Sequence, residues 1–112
     1  MIEKILKTYL DNYGLSATVY TEQPKDKPAT FFMIEKSGGG QTDHINTATF
    51  IVQSYGTSLL QAATMNEEIK AAMFNAITLD EITKVELNSD YNFTDTTTKT
   101  YRYQAIYVIT HY

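Results

Sequence analysis

Apolar positions along the first fourteen residues fall on one helical stripe. Ile2, Ile5, Leu6, Tyr9, Leu10 and Tyr13 recur at the i, i+3, i+4, i+7 spacing, with Glu3, Lys4, Lys7 and Asp11 off the stripe. Gly14 stands where a left-handed residue would end the helix. The pattern then changes period. Ala17–Glu22 is β-branched and aromatic and predicts a short strand, and Pro24 and Pro28 punctuate the loop after it. Ala29–Lys36 and Thr47–Tyr55 predict two strands of a hairpin joined through Gly38, Gly39 and Gly40. A second stripe, Leu59, Ala62, Met65, Ile69, Ala72, Met73 and Ala76, predicts a helix from about Ser58 to Ala76. Thr57 or Ser58 would cap it, while Gln61, Asn66, Glu67 and Lys70 lie away from the stripe. Ile82–Leu87 and Tyr101–Tyr112 predict the last strands, with the threonine-rich Asp90–Thr100 as an exposed tip.

The expected order is α-β-β-β-α-β-β. This is an α+β domain: a mixed, mostly antiparallel five-stranded sheet with two helices on one face. Phe31–Ile34 and Phe50–Val52 are apolar at consecutive positions, the mark of strands covered on both faces. Two helices can cover one face. Another subunit is the natural cover for the other.

Length places all 112 residues in one domain, with core enough to fold without metal or disulfide. The absence of cysteine removes thiolate nucleophiles and thiolate metal sites, and fits use in a reducing cytoplasm. No apolar run reaches the roughly 18 residues of a membrane span. The N-terminus lacks a signal-peptide core, so a soluble, unexported protein with no membrane partner is expected. Net charge is −4, against the clustered basic residues that phosphate binding needs. The acidity is concentrated: residues 60–95 hold seven acids against two lysines. That segment reads either as a solvated face or as a surface that repels DNA or meets a basic partner. Nine tyrosines and five phenylalanines suit a half-buried sheet and subunit contacts.

No catalytic constellation emerges. Gly38–Gly40 lead into Gln41-Thr42 and a strand rather than the Lys-Ser/Thr and helix of a phosphate loop. They read as a flexible turn, or as an assembly loop that orders against a neighbour. Asp43 and His44, read as neighbours on an extended segment, would point apart and share no ion. Two histidines without cysteine are too few for a zinc site. The doublets Glu67-Glu68 and Asp80-Glu81 do not form the facing pair of a glycosidase. No enzyme, cofactor or metal is expected, and an acid-pair hydrolase ranks last among the readings.

The stretch Pro28–Ala63, with F-F-M-I-E-K-S-G-G-G, then a strand ending Val52-Gln53-Ser54-Tyr55, then a helix carrying Leu59, Ala62 and Ala63, resembles the tail terminator proteins of long-tailed phages. The similarity is one of spacing and residue class, and the C-terminal quarter matches only as strand pattern. The resemblance implies a ring, most often a hexamer, that caps the tail tube, stops its polymerisation and joins tail to head or neck. Its partners would be itself, the tail tube protein and a head or neck connector. DNA would pass through without specific binding, and the protein would sit at the tail–neck junction of the virion after assembly in the host cytoplasm. Gly38, Gly39, Gly40, Asp43 and His44 would form the assembly loop, with Glu67, Glu68, Asp80 and Glu81 lining the channel. Alanine at the three glycines would then impair assembly more than folding. The rival readings are another neck or tail-completion protein, and a small adaptor that binds peptides at an exposed sheet edge.

Overall fold

In the computed structural model, which describes residues 1–112, the elements follow the expected order: α1 (Ile2–Asp11), β1 (Val19–Tyr20), β2 (Phe31–Thr42), β3 (Ile45–Gly56), α2 (Leu59–Asn75), a single 3₁₀ turn (Ala76–Thr78), β4 (Ile82–Asn92) and β5 (Tyr101–His111). The fold is α+β. The five strands form one sheet in the order β1-β2-β3-β5-β4. β1 pairs parallel to β2, and every other pairing is antiparallel.

Strand alternation sorts the sheet into two faces. Phe32, Ile34, Ala48, Phe50, Val52, Ala105, Tyr107 and Ile109 point toward the helices and join an 18-residue buried cluster. Ile2, Leu6 and Leu10 supply the α1 side of that cluster, and Met65, Ile69, Ala72 and Met73 the α2 side. The small alanines let α2 lie close to the sheet. Ser58 caps α2 by accepting from the Gln61 amide at 3.1 Å. α1 stops at Asp11 with Asn12 as its C-terminal cap, short of the expected stop at Gly14, which follows in the turn at φ +96°, a conformation that costs any other residue strain. The Tyr9 hydroxyl ties the two helices by donating to the Ala72 carbonyl at 2.7 Å.

Four more local expectations are corrected. The hairpin turn is not at the glycines: Gly38, Gly39 and Gly40 pair with Thr49, Ala48 and Thr47 as part of β2. The turn is Asp43-His44, flanked by the Thr42–Ile45 pair, with φ +51° and +68°. A two-residue turn with both central residues left-handed matches the twist of the strands it joins, and this closes the hairpin further out than the glycines. The Asp43–His44 pair is thus a turn and not an extended segment. Second, β1 spans only Val19–Tyr20 rather than Ala17–Glu22, because its sole ladder is the short one with Phe32 and Met33. Third, β4 runs past Leu87 to Asn92, so the tip shrinks to 93–100 and is closed by an Asp95–Thr100 bridge. Fourth, Leu59 is exposed and Asn66 is buried at 2% exposure, the reverse of the helical-stripe reading.

Because His44 holds a positive φ that glycine adopts without strain, His44→Gly should raise stability by about 0.5–1 kcal/mol. Equilibrium denaturant unfolding of the two proteins measures this. No gain would show that the His44 side chain contributes something its exposed position does not reveal.

Candidate assembly surface

The face of the sheet away from the helices divides into two halves. At the end that holds Phe31 and Tyr55, the chain covers the sheet itself. The Phe31 and Tyr55 rings stack at 4.3 Å with an 11° tilt, and Tyr20 meets Phe31 edge-on at 5.8 Å. A hydrogen-bonded row then crosses the strands. Gln23 donates to the Tyr55 hydroxyl (3.0 Å), Tyr55 donates to Gln53 Oε1 (2.8 Å), and Gln53 donates to Gln104 Oε1 (2.7 Å). Gln104 in turn donates to the Tyr91 hydroxyl. Arg102 closes this end: its Nε donates to the Phe93 carbonyl at 2.8 Å, and its guanidinium lies 4.5 Å from the Phe93 ring centre. These partners explain how Gln53 and Gln104 are buried to 9% and 7% exposure on a helix-free face. In this half the chain's own side chains supply the cover for which a second subunit was expected.

The other half has no such cover. Ile51 sits directly across from Ile106, and Thr49 from Val108, while Met33 on β2 lies across from Gln53, one step toward the covered end. All five are half-buried. Glu35 on β2 borders the patch on one side, and the Lys84–Glu86 pair on β4 (3.5 Å) on the other. An apolar centre between charged flanks is a composition that protein contacts share.

The predicted site residues do not gather. Asp43 and His44 are exposed at the hairpin end, joined there by exposed Ile45. Glu67 is exposed on α2, paired with Lys70 at 3.0 Å. Glu68 accepts from both the backbone amide (2.7 Å) and the hydroxyl (2.6 Å) of Ser16, so it fastens the segment after α1 and is not a free channel acid. Asp80 and Glu81 lie in the turn before β4. No three His, Asp or Glu side chains are placed to share a metal ion. No helix is long and apolar enough to cross a membrane.

The sequence reading missed one polar cluster on the helix side. Lys70 of α2 pairs with Asp90 of β4, and Asn66 donates to the same carboxylate at 2.7 Å. Burial alone would raise the Asp90 pKa, but the bonds from Lys70 and Asn66 outweigh it and hold the group below its ordinary value. The bond to Asp90 raises the Lys70 pKa in turn. A depressed carboxylate stabilises the fold above its unfolded pKa, and that contribution disappears as pH falls through the folded value. A raised ammonium contributes below its unfolded pKa and loses that contribution as pH rises through the folded one. The clip is therefore fully formed across neutral pH. Asp90→Asn should cost about 1 kcal/mol at pH 7 and flatten the acid limb of the stability curve. Urea midpoints measured from pH 2 to 7 test this, and parallel curves would remove the clip. The sequence reading placed Asn66 off the α2 stripe, and nothing in the sequence pairs it with a residue 24 positions away.

Comparison with protein-family models finds no match for this chain, and comparison with curated protein sequences finds none either.

Proposed function

We propose that this protein is a structural subunit that assembles with copies of itself into a ring, capping the tail tube of a long-tailed phage and joining it to the head or neck. The observation that carries the assembly reading is the half of the helix-free face beyond the Gln53–Gln104 row, where the half-buried Ile51, Ile106 and Val108 adjoin, with Met33 one step away across from Gln53. The resemblance over Pro28–Ala63 supplies the tail-capping role and favours six subunits. On this reading the partners are a second copy, the tail tube protein and the head or neck connector. The deciding measurement combines mass determination with negative-stain imaging of the purified protein, alone and with tail tubes. Rings, or tubes that stop growing at a capped end, support the proposal. A strict monomer under both conditions overturns it.

The Asp43-His44 turn, and not the glycine strand, is the element available as an assembly loop. An alanine Cβ at Gly39 would lie 2.9 Å from the Thr47 carbonyl oxygen, so alanine there disturbs the fold and says nothing about assembly. Gly38 has open space and is the position where the assembly question can be asked cleanly.

A channel role, in which like charge keeps passing DNA mobile, falls to Glu67, Asp80 and Glu81, with Glu68 committed to Ser16. Neutralising the three exposed acids to Gln or Asn should shift stability by about 0.5 kcal/mol or less. Rings of that variant should retain duplex DNA at low salt where wild-type rings do not. Equal release by both would return these acids to a solvated surface.

A further inference from the structure

A ring of more than two copies takes two different surfaces on each copy, one for each neighbour. The two ends of the sheet differ in that way. At one end is the hairpin of β2 and β3, where every residue from Glu35 to Ile45 is exposed. The last pairing of β3 with β5 is Asn46–His111, short of the turn. Asp43 on this turn pairs with no cation of the chain, and Ile45 beside it is 47% exposed. By strand alternation Ile45, Thr47, Thr49 and Ile51 share the helix-free face, so the turn continues the bare half of the sheet. At the other end, where Gly56 pairs with Tyr101, a cavity of about 170 Å³ is lined by Lys27, Pro28, Ala29, Lys99 and Tyr101. Neither lysine pairs with a carboxylate. Asp95, in the same tip as Lys99, already accepts from the amides of Thr97 (3.0 Å) and Thr98 (3.4 Å), and the charge of Asp26 is offset by Lys25 next to it. The volume is that of about six waters at roughly 30 Å³ each, below the roughly 300 Å³ at which small-molecule sites begin. It has room for a short side chain.

We propose that the Asp43-His44 turn of one copy enters the Lys27–Lys99 cavity of the next, with the Asp43 carboxylate between the two ammonium groups and Ile45 against Pro28 and Ala29. This rests on the assembly reading above and names the parts of neighbouring subunits that meet. β3 runs between the two ends over 12 residues, roughly 36 Å at about 3.3 Å per residue, in a molecule 45 Å long. The turn therefore cannot reach the cavity of its own chain, and the contact runs head to tail. Such a contact closes into a ring when successive rotations complete a circle, and grows a filament when they do not. Opposite charge steers the two unlike ends together and disfavours the meeting of like ends.

The chain has no cysteine, so an introduced disulfide reports the contact without background. His44→Cys and Ala29→Cys together leave Asp43, Lys27 and Lys99 in place. The two positions lie at opposite ends of one chain, far beyond the Cα separation of about 7 Å that a disulfide can span. Mild oxidation of the double variant should give a ladder of covalent oligomers, and neither single variant should give one. Adding Lys27→Glu and Lys99→Glu should slow the cross-linking at least about tenfold, and adding Asp43→Lys as well should recover it. All five positions are exposed, and circular dichroism checks that each variant is folded. Oligomers seen by sedimentation without a ladder overturn this contact and leave the ring reading standing. A monomer throughout, with no ladder, overturns both. A ladder that forms equally fast after the lysines are reversed removes the pairing of Asp43 with Lys27 and Lys99.

Discussion

Replacing Ile51 with lysine and Ile106 with glutamate together should abolish self-assembly and leave the subunit folded. The two residues face each other across β3 and β5 on the uncovered half of the sheet. Opposite charges at directly facing positions attract, so the pair preserves a favourable cross-strand contact where two like charges would not. Both side chains are half-buried and lie outside the helix-side core, which holds the folding cost to about 1 kcal/mol. In an interface the same charges would be desolvated against an apolar partner, and truncated or charged centres of such patches cost several-fold more than rim positions. Sedimentation of wild type and variant, with and without tail tubes, reads the loss of assembly as at least a tenfold weakening, about 1.4 kcal/mol or more. Thermal unfolding followed by circular dichroism reads the fold. An unfolded variant would move these residues into the core. A variant that still assembles would take the assembly contact off this face.

Gly56→Ala should be the most damaging single-methyl change in the chain, at about 1–3 kcal/mol. A Cβ at this position would lie 2.7 Å from the Ala62 amide nitrogen and 3.1 Å from its Cα. Both are backbone atoms of the first turns of α2, so no side-chain rotation can relieve the overlap. Ala62 is itself fully buried against the sheet, and moving α2 outward would loosen Met65 and Ile69 behind it. Gly38→Ala, with open space around its position, is the matched control and should change stability little. Denaturant midpoints of the two variants decide the matter, and equal midpoints would show that α2 can shift freely at its start. Nothing in the sequence distinguishes Gly56 from Gly38. The triple glycine draws the eye, yet the single glycine after Tyr55 is where the packing is tightest.

Local periodicity was enough to write the element order and the fold class. The stripes of α1 and α2 recur every three to four residues because one side of each helix is apolar, and no distant contact is needed to see that. The core positions Leu6, Leu10, Met65, Ile69 and Met73 follow from the same repeat. A cap at Thr57 or Ser58 was also legible, Ser58 being the one that caps, since a cap acts on its own neighbours.

Pairing was not. Whether Gly38–Gly40 turn or extend depends on β3 running alongside them, and that contact lies outside any local window. The burial of Gln53 and Gln104 depends on Gln23, Tyr55, Tyr91 and Arg102 converging from separate loops and strands. Glu68 looked like a free acid until Ser16, 52 residues away, was placed against it. Sequence determined which residues are apolar and with what period. Tertiary structure decided which backbone edges stay open, which polar groups find partners and which half of the sheet is left bare, because each of these is a relation between segments that the chain order keeps apart.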